Sequence, residues 1–124
     1  MNVVDSSGWL EYFGEGKNAR VFAPPIEDLS RLIVPTISIV EVFKKILQQS
    51  TEQAALQAVA HMNQGKTVDL DVRIAMQAAK IGAQLKLPLA DSIILATAQS
   101  MQAVLWTQDE DFKGISGVRF FPKH

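Results

Sequence analysis

The most informative absence from this 124-residue chain is cysteine, of which it has none. Such a chain forms no disulfide, holds no metal through thiolates and has no cysteine nucleophile. It has no uncharged apolar run near the roughly 18 residues that a membrane-spanning helix needs. Its N-terminus, MNVVDSSGW, lacks the basic start and long apolar stretch of a secretory signal. We therefore expect a cytoplasmic protein with no membrane association.

A strong charge of either sign is also absent, because 12 basic and 13 acidic residues leave a net charge of −1. This balance provides no bulk attraction for nucleic acid, so a polyanionic substrate would need a local basic rim or bound cations. Apolar residues, in contrast, make up 48% of the chain. This fraction and the length together predict a single globular domain over residues 1–124, with a core that needs no disulfide.

Short apolar runs alternate with helical patterns along the chain. Strands are predicted in NVV, RLIVP, KTVDL and AVLWT, with GVRFF as a further strand at the sheet edge. Helical spacing of apolar residues predicts helices in SSGWLEYF, SIVEVFKKILQQ and VRIAMQAAKIGAQLK. The alternation predicts an α/β fold with a mainly parallel sheet.

Three local patterns make more detailed predictions. Pro24 and Pro25 predict that NARVFAPPIEDL is a weakly helical connector broken by the two prolines. Ser50 and Gln53 fit a capping box for the helix that follows them. In VRIAMQAAKIGAQLK, helical spacing places five apolar residues on one face, namely Val72, Ala75, Met76, Ala79 and Leu85.

Acidic residues directly follow two of the predicted strands. Asp5 follows the first strand, and Asp109 and Asp111 follow AVLWT in the stretch WTQDEDF. The crevice beyond the carboxyl ends of parallel strands is the usual ligand site of an open sheet. Glu41 and Asp91 lie in the first turns of predicted helices, so we expect them to reach the same edge.

Each of these acids also has a purely structural interpretation. Glu41 stands three residues after Ser38 as in a capping box, and Asp91 after LPLA is a credible helix N-cap. Asp109 and Asp111 fit polar turn residues. Asp5 has the weakest structural interpretation, because the two serines after it are available to cap the following helix.

Other polar residues are assigned no chemistry. His61 and His124 are isolated, and Glu11 is expected to face solvent. Asp69 and Asp71 follow a strand-like run, but Asp71 is well placed as a helix N-cap. The chain contains no P-loop and no GxGxxG, HExxH or GxSxG motif.

Convergence of these acids would require a cation. Two unit charges about 4 Å apart repel by ~4 kcal/mol at an effective dielectric constant of about 20, so clustered carboxylates do not all stay ionised without compensation. All-oxygen ligation selects Mg²⁺ or Mn²⁺ over zinc. Such an ion lowers the pKa of a bound water and neutralises charge on a phosphate. The reaction that fits is metal-assisted cleavage of a phosphodiester, with one ion or two.

The order of these motifs resembles that of a PIN domain, in particular the small stand-alone VapC-type toxin ribonucleases of bacteria and archaea. The resemblance covers nearly the whole chain, from VVDSS through the Glu of SIVEVFKK and LPLADSIILATA to LWTQDEDF and GVRFF. It implies a three-layer α/β/α sandwich with a central, mainly parallel sheet.

The resemblance also implies roles for individual residues. The family's catalytic quartet, which binds Mg²⁺ or Mn²⁺, is matched by Asp5, Glu41, Asp91 and Asp109. Asp111 matches a further family acid, and the stretch TQDEDF leaves open whether Asp109 or Asp111 is the principal ligand. Ser6 and Thr107 match hydroxyl residues found beside the first and last acids.

The partners implied by the resemblance are an RNA substrate, a cognate antitoxin that blocks the acidic cleft, and frequently a second copy of the chain. Lys44 and Lys45, one turn past Glu41, are candidates for contact with the RNA backbone, although a solvated helix face explains at least one of them better. The function implied is that of a Mg²⁺- or Mn²⁺-dependent endoribonuclease, the toxin of a toxin–antitoxin pair.

The sequence leaves two other functions open. One is another metal-dependent phosphohydrolase, although a haloacid-dehalogenase-type enzyme needs a second Asp where this chain has Ser7. The other is a non-catalytic PIN-like module whose acids bind the basic segment of a partner. The intact quartet argues against such a module, because a degenerate site is expected to lose a ligand.

Overall fold

The computed structural model describes all residues, 1–124. Its five strands are β1 Asn2–Val4, β2 Leu32–Pro35, β3 Lys66–Val68, β4 Val104–Thr107 and β5 Val118–Phe120. They form one sheet in the order β3-β2-β1-β4-β5, in which every pairing is parallel. The predicted α/β fold with a parallel sheet is confirmed, and β5 lies at the sheet edge as expected. All five carboxyl ends therefore lie along one edge.

Helices cover both faces of this sheet. They are α1 Ser6–Phe13, α2 Ala19–Glu27, α3 Thr36–Gln49, α4 Glu52–Met62, α5 Val72–Leu85 and α6 Leu89–Ser100. Successive strand residues point to opposite faces, so Val3 packs in a core with α5 and α6, whereas Val4 packs in a core with α1 to α4. The result is the expected three-layer α/β/α sandwich. None of the six helices combines the length and apolar character needed to cross a membrane.

The connector predicted around the two prolines is instead a helix. Pro24 and Pro25 both lie inside α2, in its second half. A proline removes a helical hydrogen bond, but Phe22 and Ile26 of this helix are fully buried in the core. Burial of this apolar face outweighs the local cost of the prolines, so the interruption predicted from sequence is wrong.

The apolar face predicted for α5 is not the face that packs in the core. Ile74, Ala78 and Ile81 are buried, whereas Val72 is 74% and Met76 is 59% exposed. The other members of the predicted face are exposed as well, namely Ala75, Ala79 and Leu85. Both sets of residues have helical spacing, so the period predicts a helix without deciding which side faces the core.

Two predicted helix starts have different outcomes. Asp71 caps α5 as predicted, because its Oδ1 accepts a hydrogen bond from the Ile74 N–H at 2.9 Å. The capping box of Ser50 and Gln53 is not formed, since Thr51 is the N-cap of α4 and accepts from the Ala54 N–H at 3.0 Å. The β-region backbone of Thr51 suits the N-cap position.

Candidate metal centre

Three carboxylates meet at the carboxyl edge of the sheet. Asp91, Asp109 and Asp111 each offer one oxygen, and these atoms all lie within 4.8 Å of one another. Asp91 lies in the first turn of α6, and the other two lie just after β4. Asp91 and Asp109 are half-buried and Asp111 is exposed, so the cluster is open to solvent on one side.

Asp5 lies at the carboxyl end of β1, the neighbour of β4, and is 2% exposed. It is outside the group of three. Contrary to expectation, Asp5 itself caps α1, because its Oδ1 accepts from the Gly8 N–H at 3.0 Å. Ser7 Oγ donates to Asp5 Oδ1 at 2.8 Å, so this serine supports the capping carboxylate instead of replacing it.

Thr107 joins Asp5 to the acids that follow β4. Its hydroxyl donates to Asp5 Oδ2 at 2.8 Å and accepts from the Asp109 N–H at 2.9 Å. Asp109 Oδ1 in turn accepts from the Asp111 N–H at 2.9 Å. One buried hydroxyl therefore sets the position of the β4 acids relative to Asp5.

Asp91 does not cap α6. That helix begins at Leu89, with Pro88 as its N-cap and no side-chain capping bond. Because Asp91 is the third helical residue, its carboxylate remains available to the cluster. A carboxylate in the first turn is also stabilised by the positive end of the helix dipole.

Glu41 does not form the capping box that was its alternative, purely structural interpretation. It is the sixth residue of α3, and Ser38 lies buried inside the same helix with no hydrogen-bond partner for its hydroxyl. Glu41 Oε1 instead accepts a hydrogen bond from Ser6 Oγ at 2.6 Å. Ser6 follows Asp5, so Glu41 is held near the same edge, although it too lies outside the group of three.

Burial and the neighbouring acids both raise the pKa of two of these carboxyl groups. Burial raises the pKa of Asp5 to about 6, with a contribution from the charge of Asp109 and in spite of the hydrogen bonds that the carboxylate accepts. Burial also raises the pKa of Asp91 to about 7, followed in importance by the charge of Asp109 and a hydrogen bond with Asp111. Every ionised neighbour that shifts these two pKa values is itself an acid.

The donor set fits a divalent cation. Asp91, Asp109 and Asp111 provide oxygen ligands alone, which suits Mg²⁺ or Mn²⁺. Without an ion, burial and the charges of the neighbouring acids favour protonation of Asp91 near neutral pH. A bound cation would replace that proton and stabilise the ionised cluster.

Lys44 and Lys45 lie exposed on α3, after Glu41. Their exposure is compatible both with contact to RNA and with a solvated helix face. Their role therefore stays a prediction, as do the individual ligand roles of the five acids.

A buried polar group that was not predicted from the sequence lies behind residues 107–111, called the acid segment. Glu11, expected to face solvent, is half-buried and accepts from the Asn18 N–H at 2.8 Å. Asn18 and Gln108 are 2% and 6% exposed. The position of Gln108 between Thr107 and Asp109 could have indicated this group. Side chains alternate in direction along an extended chain, so Gln108 is expected to point away from the side that its two neighbours face.

A comparison with family models matches residues 3–118 to the PIN domain. Among solved structures, the chain is similar to one in a toxin–antitoxin complex from Klebsiella pneumoniae, with 26% identity and a TM-score of 0.79 over 98% of this chain and 99% of that one. A comparison with curated protein sequences gives no match.

Two further structures share the fold at lower identity. DNA-bound VapBC from Salmonella typhimurium has 19% identity and a TM-score of 0.75 over 98% of this chain and 96% of the other. VapC20 from Mycobacterium tuberculosis, described as a sarcin-ricin loop cleaving toxin, has 11% identity and a TM-score of 0.74 over 91% and 92% of the two chains.

Proposed function

This chain belongs to the PIN domain family, and on that premise we propose that it is a Mg²⁺- or Mn²⁺-dependent endoribonuclease, the toxin of a toxin–antitoxin pair. The observation that carries the proposal is the meeting of Asp91, Asp109 and Asp111 within 4.8 Å. The proposal treats residues 1–124 as one domain.

The relatives support both halves of this proposal. The chain from Klebsiella pneumoniae belongs to a toxin–antitoxin complex and matches almost end to end. A second relative is described as a toxin that cleaves the sarcin-ricin loop, which supports hydrolysis of a nucleic acid. RNA as substrate and a cognate antitoxin as partner are the corresponding assignments for this chain, and a cytoplasmic location suits both.

We assign the ion to Asp91, Asp109 and Asp111, with Asp5 beside them and Glu41 held near them by Ser6. A divalent cation in this position would lower the pKa of a bound water and neutralise charge on the scissile phosphate. Through its two hydrogen bonds, Thr107 fixes the position of Asp109 relative to Asp5. This arrangement leaves open whether Asp109 or Asp111 is the principal ligand.

Positive charge for the substrate must be local, because the net charge of the chain is −1. Lys44 and Lys45 are exposed on the helix that carries Glu41, so we assign them to contact with the RNA backbone. Phosphate contacts of this kind strengthen binding without reading sequence.

A homodimer is part of the proposal. Val72 and Met76 of α5 and Leu89 of α6 are 74%, 59% and 79% exposed. Val72 and Met76 lie one helical turn apart, and Leu89 lines a groove with Ala75 and Ala79 of α5. Large apolar side chains exposed on one surface mark protein–protein contact surfaces. We assign this outer face of α5 and the start of α6, called the α5 face below, to contact with a second copy.

The decisive experiment measures cleavage of end-labelled RNA by the purified chain with Mg²⁺, with Mn²⁺ and with excess chelator. We expect cleavage only with metal, and a loss of at least about 100-fold in Asp5→Asn and Asp91→Asn, because such changes remove a ligand or its neighbour. Asp28→Asn is the matched control, since Asp28 is exposed near the opposite edge of the sheet.

The result that contradicts the proposal is cleavage that persists in Asp91→Asn or in the presence of chelator. Turnover of a simple phosphomonoester without cleavage of RNA would favour a different phosphohydrolase. Tight binding of a protein partner without uptake of metal would favour a non-catalytic module.

A further inference from the structure

Glu11, Asn18 and Gln108 form a closed ring of hydrogen bonds behind the acid segment. Asn18 Nδ2 donates to Gln108 Oε1 at 3.0 Å, and the Asn18 N–H donates to Glu11 Oε2 at 2.8 Å. Gln108 Nε2 donates to Glu11 Oε1 at 3.4 Å, which closes the ring. The three residues come from α1, from the start of α2 and from the segment after β4, so the ring joins distant parts of the chain.

Two of the three ring residues are buried, and the amide donors of the ring are all used. Asn18 and Gln108 are 2% and 6% exposed. The second amide hydrogen of Asn18 goes to the Pro122 carbonyl at 3.0 Å, and that of Gln108 goes to the Ser7 carbonyl at 3.4 Å. Buried polar groups that are fully paired make a region rigid, whereas unpaired ones are costly.

Asn18 does not use its side chain for the task that its position favours. Asn is among the preferred N-cap residues, and Asn18 is the N-cap of α2, yet its side chain makes no capping bond. Both of its amide hydrogens are directed across the fold to Gln108 and Pro122. The Asn18 side chain therefore contacts the acid segment and the C-terminal segment instead of capping its own helix.

The ring holds the acid segment from the side opposite the carboxylates. Gln108 lies between Thr107, which is hydrogen-bonded to Asp5, and Asp109, which belongs to the group of three. The Thr107 hydroxyl fixes the segment on the acid side, and the Gln108 amide fixes it on the side of α1. A displacement of Gln108 therefore moves the backbone that carries Asp109.

We propose that Glu11, Asn18 and Gln108 are positioning residues that hold segment 107–111 so that Asp109 and Asp111 stay beside Asp91. The inference rests on the proposed function, because the position it protects is that of the metal ligands. Residues that orient ligands without touching the metal typically change its affinity by about 10- to 100-fold when they are replaced.

Gly16 provides an independent way to disturb the ring. A Cβ atom at this position would lie 2.4 Å from the Glu11 carboxylate carbon and from its Oε1. Those atoms are the end of a flexible side chain, so Gly16→Ala would displace the carboxylate without requiring a shift of the backbone. Glycine at this position is what allows Glu11 to reach Asn18 and Gln108.

The main test is Gln108→Glu, a change that conserves shape. It removes both amide donors and places a second carboxylate against Glu11. The double variant E11Q/Q108E exchanges carboxylate and amide between the two positions and restores a donor facing an acceptor. Gln99→Glu is the matched control, because Gln99 is exposed on α6 and its amide oxygen accepts only from the exposed Gln77.

The first readout is the dissociation constant for Mn²⁺, measured by calorimetry on folded protein. We expect Gln108→Glu to weaken binding about 10-fold, the double variant to recover most of this loss, and Gln99→Glu to bind like the wild type. Charge alone predicts the opposite, since an added carboxylate attracts a cation. Unchanged or tighter binding in Gln108→Glu, or no recovery in the double variant, overturns the proposal.

The second readout needs no metal. Amide hydrogen exchange of Asp109 and Asp111, whose N–H groups are hydrogen-bonded within the segment, is measured in chelator. We expect exchange to accelerate in Gln108→Glu and in Gly16→Ala, and amides of α5 to keep their wild-type rates. Unchanged rates at Asp109 and Asp111 overturn the proposal.

The two readouts separate this inference from the proposed function. If the wild-type chain neither binds Mn²⁺ nor cleaves RNA, the proposed function fails, and the exchange rates still decide whether the ring holds the segment. If Gln108→Glu does not fold, both quantities are measured on Gly16→Ala. We expect weaker Mn²⁺ binding and faster amide exchange in that variant as well.

Discussion

The Thr107 hydroxyl donates a hydrogen bond to Asp5 Oδ2 at 2.8 Å, and thereby joins the carboxyl ends of the neighbouring strands β4 and β1. Both side chains are almost fully buried, at 0% and 2% exposure. The bond favours the ionised form of Asp5 and so opposes part of the rise in pKa caused by burial. A neutral residue thus helps to hold the acids of the candidate metal centre in place.

Replacing this hydroxyl tests that dependence. Thr107→Val conserves shape but leaves Asp5 Oδ2 and the Asp109 N–H without this partner. We expect a loss of about 1–3 kcal/mol in the free energy of unfolding, measured by urea denaturation, and about 10-fold slower RNA cleavage. Thr107→Ser keeps the hydroxyl and should retain both properties. Equal behaviour of the valine and serine variants would contradict this role.

Asp91→Asn is expected to stabilise the metal-free protein while slowing RNA cleavage at least about 100-fold. Burial and the neighbouring acids raise the pKa of Asp91 to about 7. Above that pH the folded state therefore holds an ionised carboxylate in surroundings that favour the neutral form. The carboxyl is only half-buried, and solvent screening limits the expected gain to about 1 kcal/mol. Thermal denaturation at pH 8 in chelator measures it, with Asp28→Asn as control. A lower melting temperature than that of the wild type would refute the expectation.

The free energy of unfolding of the metal-free protein should decrease as the pH rises. The folded-state pKa values of Asp5 and Asp91, about 6 and about 7, both exceed the ordinary value of 3.8. Between the ordinary pKa and these raised values, the folded state binds more protons than the unfolded state. The two groups therefore contribute stability at low pH, and this contribution is lost as the pH rises through 6 to 7.

Denaturant unfolding between pH 5 and pH 8, in wild type and in Asp91→Asn, isolates the contribution of Asp91. We expect the wild type to lose more stability than the variant as pH rises, and saturating Mn²⁺ to remove most of that difference, because the ion competes with protons for the cluster. A metal-free wild type that gains stability relative to Asp91→Asn over this range would show that the sign is wrong.

The α5 face gives a prediction about assembly. Met76 is 59% exposed on α5, and a lysine at the centre of an apolar contact leaves a charge without a partner. We expect the wild type to be a dimer by light scattering and Met76→Lys to be a monomer of unchanged helical content. Leu56→Lys is the control, since Leu56 is 54% exposed on α4, away from this face. A dimeric Met76→Lys, or a monomeric wild type, excludes this interface.

The fold was predictable to a large extent because its signals are local. Alternation of short apolar runs with helical patterns indicated the parallel sheet, and Asp71 was recognisable as a cap from its neighbours alone. Local signals failed where two solutions fit equally well, as for the two apolar faces of α5 and for Ser50 and Thr51 as the N-cap of α4. The buried face of α5 follows from Ile74 and Ala78 packing against α6, and Pro25 stays helical because it is buried with the core of α2.

The order of the acids along the chain, and their placement after strands and at helix starts, were determined by the sequence itself, since parallel strands bring such residues to one edge. Only the tertiary structure decided that Asp111 lies with Asp91 and Asp109, that Asp5 caps α1, and that Glu41 is bound by Ser6. It also decided that Glu11 faces Asn18 and Gln108 instead of solvent. The physical reason is range: periodicity and capping act over a few residues, whereas a ligand set and a buried hydrogen-bond ring depend on distances between side chains up to about a hundred positions apart.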